Sequence, residues 1–209
     1  MGLRIFNKKA PLLLFLGILI SIQHVQAQSS AFIELKTRFD ESSVFHAEFE
    51  HTYIDAYTEE STNSEGLIWI DQKGYKLESD DKIIVVDGEI SRVYEGSRNR
   101  LIISEYDPEE DDFAPSKMLS GIDETYTTSE KKLSNGNTLI TLLTEDDFAT
   151  FVKVEIEVNK MIEPLKITAY DFADNLIITT FENGKFERLT DQTFNLDYPE
   201  DAEIVDMRF

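Results

Sequence analysis

The sequence predicts a mainly β protein with helices (α+β), built as a strongly curved antiparallel half-barrel with an N-terminal helix covering an apolar concave face. Three observations predict it. The stretch Ala31 to Tyr57 runs from a helical apolar stripe straight into a long strand. Short β-type runs then follow one another between Gly, Asn and Asp turn signals. Several of those runs are polar on one face and apolar on the other, so the sheet is wet on one side and needs something to fill the other.

In the opening helix, Phe32, Leu35 and Phe39 recur at i, i+3 and i+7. Glu34, Lys36, Arg38 and Asp40 lie mostly off that stripe, Glu34 is placed to pair with Arg38 one turn on, and Ser29 or Ser30 can cap the helix. After Ser42 and Ser43 the period changes to two. Phe45, Ala47, Phe49, Tyr53 and Tyr57 then face one way and His46, Glu48, Glu50 and Thr52 the other. Any one of these aromatics alone reads as ordinary core.

Further strands are expected at GLIWI, YKLE, KIIVVD, SRVYE, RLIISEY, NTLITLL, TFVKVEIEV, LKITAY and NLIITTFE. Turns are expected at Lys73-Gly74, Asp87-Gly88, Ser97-Asn99, Asn135-Gly136, Asn159-Lys160, Asp174-Asn175 and Asn183-Gly184. Two segments interrupt this antiparallel meander. Asp107 to Asp112 (DPEEDD) reads as a solvated acidic loop, and Pro115 to Ser120 as a short helix stopped by Gly121. The halves on either side are expected to belong to one sheet.

At the start, Arg4, Lys8 and Lys9 precede the apolar run Leu12 to Ile22 and the small-residue site Val25-Gln26-Ala27, the pattern of a cleaved signal peptide over 1–27. The apolar run is shorter than a spanning helix. The expected mature chain, 28–209, is a single exported domain. With no cysteine among 209 residues it has neither disulfides nor a site for lipid attachment, so its stability falls to a hydrophobic core that about 180 residues can supply.

The formal net charge of −21 becomes −24 once the three basic leader residues are removed. Such a surface repels phosphate backbones and anionic headgroups, which argues against nucleic acid and against more than transient membrane contact. Catalytic and metal signatures are lacking. His24 lies in the leader, and the odd separation of His46 and His51 places them on opposite faces of one strand. No G-x-S-x-G, P-loop or H-E-x-x-H pattern occurs. DPEEDD lacks the frame that turns an EF-hand loop around calcium, and Glu145-Asp146-Asp147 reads likewise as a solvated loop. No enzyme activity, cofactor or metal is expected.

Five stretches, LKTRFDESSVFHAEFEH, GLIWI, IIVVDGE, APSKML and FNLDYPEDAEIVD, resemble in order the motifs of the periplasmic outer-membrane lipoprotein carrier (LolA) family. The resemblance spans nearly all of the expected mature chain. It implies an open half-barrel that accepts the acyl chains of lipoproteins from an inner-membrane ABC transporter and passes them to an outer-membrane acceptor. The acceptor of similar fold is itself a lipoprotein with an N-terminal Cys, and the sigma-factor regulatory relative carries a second domain; neither feature is expected here.

Two departures stand out. Gln72 occupies the position of a basic residue that the family ties to closure, without the following Pro, and Arg92 stands where the family often has Trp. Gln72, Lys73 and Arg92 are therefore the candidates for a gating or charge role.

The expected activity is a soluble, monomeric periplasmic carrier. Its acyl-chain cavity is expected to be lined by Phe32, Leu35 and Phe39 on the helix and by Phe45, Phe49, Tyr53, Trp69, Val152, Val154 and Ile156 on the sheet. Two alternatives stay open. One is a β-rich periplasmic interaction or scaffold protein with a closed core. The other is an enzyme of the same fold acting on a small apolar substrate.

Overall fold

A computed structural model describes residues 30–39, 43–107, 111, 115–121 and 125–208. The expected signal peptide and cleavage site, the Ser29 cap, Asp40, Ser42 and Asp112 lie outside these residues. The helix α1 spans Ser30–Arg38. Twelve strands follow: β1 Ser43–Ile54, β2 Ser61–Ile70, β3 Tyr75–Glu78, β4 Lys82–Val86, β5 Ile90–Glu95, β6 Arg100–Glu105, β7 Thr127–Lys132, β8 Thr138–Leu143, β9 Lys153–Val158, β10 Pro164–Tyr170, β11 Leu176–Arg188 and β12 Glu203–Asp206.

They form one open sheet in the order β12-β6-β5-β4-β3-β2-β1-β11-β10-β9-β8-β7. The two halves of the meander meet on β1, which pairs with β2 on one side and with β11, more than a hundred residues away, on the other. Among the described residues every pairing is antiparallel except that of β12, which runs parallel to β6. The sheet curls into a half-barrel, and α1 covers its concave face, packing against β8 and the short π-helical turn Lys117–Gly121.

The period-two reading of β1 holds: Phe45, Ala47 and Phe49 are buried while Glu48 and Glu50 are exposed. It fails at the end of the run. β1 stops at Ile54, and Tyr57 sits fully exposed in the following loop, because Asp55 accepts hydrogen bonds from the backbone amides of Tyr57 and Thr58 and turns the chain.

Asn183-Gly184 is a bulge inside β11, not a turn. His46 faces Lys185 and Glu48 faces Glu182, so Asn183 and Gly184 together oppose Ala47, with Asn183 in the left-handed region at φ 54°. A Cβ on Gly184 would lie 2.5 Å from the Phe45 ring, so this position has to be glycine for the ring to pack. Gly121, expected to stop the short helix, is instead the last residue of the π-helical turn.

Three strand regions carry no sequence signal of their own. β7 (TTSEKK) is an edge strand and mostly exposed, the first half of β2 (STNSE) is exposed, and β12 is half of a parallel pair at the opposite edge. Without a buried face, neither alternation nor bulk marks a strand.

α1 is capped from a distance. Its first residues, Ser30 Oγ and the Ala31 amide, donate to the two carboxylate oxygens of Glu130 on β7, at 3.2 and 3.0 Å. That carboxylate satisfies an orphan amide and places negative charge at the positive end of the helix dipole. At the other end Arg38 lies over the Phe186 ring, 4.7 Å from its centroid.

Candidate functional site

The concave face is the candidate site, because the apolar side chains of helix and sheet converge there. On α1, Phe32 is 2% exposed and Leu35 is fully buried, as is Phe39 in the turn just past the helix end. Phe39 meets Phe186 edge-on at 5.0 Å and Phe45 at 6.5 Å, and Phe45 in turn meets Phe181 at 5.5 Å. Phe49 faces Phe181 across the β1–β11 pair.

Val154 and Ile156 of β9 are fully buried, continued by Ile167 and Ala169 of β10 and Ile140 and Leu142 of β8. Tyr53 packs against this cluster while partly buried. The structure thus brings Phe32, Leu35, Phe39, Phe45, Phe49, Tyr53, Val154 and Ile156 onto one apolar surface.

Trp69 and Val152 do not follow. In the β1–β2 register Trp69 faces His46, and both lie on the convex side, since Ile68 and Ile70 occupy the inward positions beside Ala47 and Phe45. Trp69 stacks on His46 at 4.6 Å and 6°, with Lys76 Nζ 5.2 Å from its ring centroid. Both parities of GLIWI are apolar, so bulk alone does not choose the inward residue.

Val152 precedes β9. Its amide donates to the Tyr170 carbonyl at the hairpin mouth, and the buried residue is its neighbour Phe151, whose carbonyl accepts from the Tyr126 hydroxyl at 2.7 Å. The period of two cannot be extended past the end of a strand.

The expected gating residues lie in or beside hairpin turns. Gln72 and Lys73 are in the exposed β2–β3 turn, where Asp71 accepts from the Lys73 and Gly74 amides. Arg92 pairs with Asp87 at 2.8 Å at the β4–β5 hairpin. Its guanidinium is occupied by the residue that builds that turn.

Residues that the sequence reading does not single out complete the face. Met118 and Leu119 bury against the core from the π-helical turn, and Ser116 Oγ donates to the Gly74 carbonyl, fixing that segment beside β3. Their signal is present in the APSKML stretch, as two adjacent large apolar residues after a Pro.

A polar group also enters. Asp111, from the segment expected to be solvated, is partly buried and its Oδ2 accepts from the hydroxyls of Tyr75 at 3.0 Å and Tyr106 at 2.8 Å. Burial and the Asp111 charge push both phenols well above their ordinary range. His51, on the inward parity of β1, bonds Thr179 Oγ1 through Nδ1 at 2.9 Å. Burial holds its pKa down to about 4, against the opposing pull of Asp111. Among the described residues no cluster of His, Asp and Glu is arranged to hold a metal, and no helix is long and apolar enough to cross a membrane.

The sequence matches no known family model and no curated protein. Among solved structures, an uncharacterized conserved protein from Thermus thermophilus is similar at a TM-score of 0.52 and 16% identity, over 83% of this chain and 98% of that one. A putative outer membrane lipoprotein-sorting protein domain from Vibrio parahaemolyticus is similar at 0.44 and 14%, over 79% and 94%. A LolA superfamily protein from Nitrosomonas europaea is similar at 0.44 and 10%, over 82% and 99%. The first of these likenesses is one of fold.

Proposed function

We propose that this chain is a periplasmic carrier that holds the acyl chains of lipoproteins, receives them from an inner-membrane ABC transporter and releases them to an outer-membrane acceptor, with no covalent chemistry. The observation that carries the reading is that the concave apolar face is filled by a short helix. α1 has nine residues, fewer than the roughly 12 to 15 that hold a helix together unaided, so its order depends on the Phe32, Leu35 and Phe39 contacts and on the Glu130 cap. An element held that way can be exchanged for another apolar body.

The magnitudes suit exchange. Burying three such side chains is worth roughly 5 to 9 kcal/mol, and burying one long acyl chain on the order of 10 kcal/mol at about 0.8 per CH₂. Cargo affinity is the difference between these terms, which keeps binding favourable and release possible. The resemblance of five ordered stretches to the lipoprotein-carrier family is what suggests the cargo class and the direction of transfer.

Mass spectrometry of the protein purified gently from its native compartment tests the reading directly, with a co-purifying acylated protein as the expected result. A small metabolite in its place would favour an enzyme of the same fold, and an empty interior the closed-core interaction protein. Phe39→Ala tests the exchange. It is expected to lower the stability of the empty protein by about 3 kcal/mol while leaving affinity for an acylated peptide equal or higher. Thermal unfolding and titration with that peptide measure both. Loss of binding with unchanged stability would mean that Phe39 contacts cargo and does not compete with it.

A further inference from the structure

Three exposed aromatic rings share one rim of the sheet. β1 runs toward this rim and β11 away from it, so the β1–β2 loop (55–60), the β10–β11 loop (171–175) and the β8–β9 loop (144–152) emerge side by side. The Ala56 amide donates to Asn175 Oδ1 at 2.9 Å and the Val152 amide to the Tyr170 carbonyl at 2.8 Å, which ties the three loops to their neighbours. At their tips Tyr57 is 95%, Phe148 92% and Phe172 50% exposed. Successive loops are two strands apart, so their bases stand about 10 Å from one another along the rim.

Each ring is presented by a turn that its own sequence builds. Asp55 accepts from the Tyr57 amide, Asp146 from the Phe148 amide and Asp171 from the Ala173 amide that follows Phe172, all within 3.0 Å. An Asx turn fixes the backbone under the ring and leaves the side chain outward. The hairpins of the opposite rim, at 71–74, 87–89, 133–137 and 159–163, carry no exposed aromatic. The hairpins of the same rim at 79–81 and 96–99 carry none either, so the rings belong to these three adjacent loops and not to turns in general.

We propose that this rim is a docking surface for a protein partner that presents a basic face with pockets for the three rings. Charge selects that partner. The three loops hold eight carboxylates (Asp55, Glu59, Glu60, Glu145, Asp146, Asp147, Asp171 and Asp174) and no Lys or Arg. Rings set among carboxylates are repelled by an anionic bilayer and by a second copy of a chain with net charge −21, whereas a lysine- and arginine-bearing face meets both features. Aromatic anchors inside a charged surround are also how a small contact area delivers most of its binding energy. The surface is separate from the concave face, so the inference does not rest on the carrier reading.

The test is photo-crosslinking of the full chain in the cells that make it, with a photoreactive phenylalanine at position 57, 148 or 172 and, as a control, at the convex residue Glu65. The expected result is an adduct to one protein from all three rim positions and not from Glu65, with the linked peptide mapping to a Lys/Arg-bearing surface. With that protein purified, replacing all three rings by Ser is expected to weaken the complex at least 100-fold without moving the thermal midpoint, and raising salt from 50 to 200 mM to weaken the parent complex about tenfold or more. An adduct to another copy of this chain, to lipid, or to a neutral or acidic protein face would overturn the proposal. So would the absence of an adduct, or ring-dependent flotation of the purified chain with phosphatidylcholine vesicles.

Discussion

Phe45 and Trp69 lie on adjacent strands one residue apart in register, yet they occupy different environments. Phe45 is fully buried and touches Phe39 from the helix and Phe181 and Phe186 from β11. Trp69 is partly buried, stacked on His46 with Lys76 above it, on the outside of the sheet. The concave ring joins elements from both ends of the chain. The convex ring joins only strands that the hairpins already bring together. The first kind of contact fixes the fold and the second strengthens pairs the sheet already holds.

Substitutions on the two faces sharpen that contrast. Phe49→Ala, on the concave side, is expected to cost about 3 kcal/mol or more, and Glu50→Ala beside it less than about 0.5, measured by denaturant unfolding. Similar losses at both positions would break the assignment of faces.

His51 tests the concave face by titration. Its folded pKa of about 4 lies below its unfolded value near 6.5, so the folded protein holds it neutral while the unfolded chain takes up a proton between those values. The stability tied to neutral His51 is therefore complete above about pH 6.5 and is lost as pH falls toward 4, a difference of roughly 2 to 3 kcal/mol. His51→Gln is expected to remove that part of the acid sensitivity, read as the difference between parent and variant in unfolding free energy at pH 7 and pH 4. Parallel curves would place the imidazole in contact with solvent.

The smallest effect belongs to the convex side. Trp69→Ala removes a stack and a cation–π contact, expected to cost about 1.5 kcal/mol in all, and leaves acyl-peptide affinity unchanged. A loss of affinity as large as that from a concave substitution would move Trp69 into the site.

The sequence alone determined the helix stripe Phe32-Leu35-Phe39, the alternation of β1 and β9 and most strand positions, because each is a local periodicity imposed by one buried and one wet face. It put Trp69 on the concave face, whereas both parities of the run are apolar and only the pairing with His46 turns the ring to the convex side. Asn183-Gly184 reads as a turn because the residues that reverse a chain are also those that form a bulge; the β1 partner decides which.

The helix cap came from Glu130, about a hundred residues away, and Asp111 found its tyrosines on two other segments, so neither leaves a trace in local spacing. The two edge strands were equally silent. β7 and β12 are ordered by backbone hydrogen bonds to a neighbour, and a backbone bond is available to every residue type, so only the tertiary structure could place them.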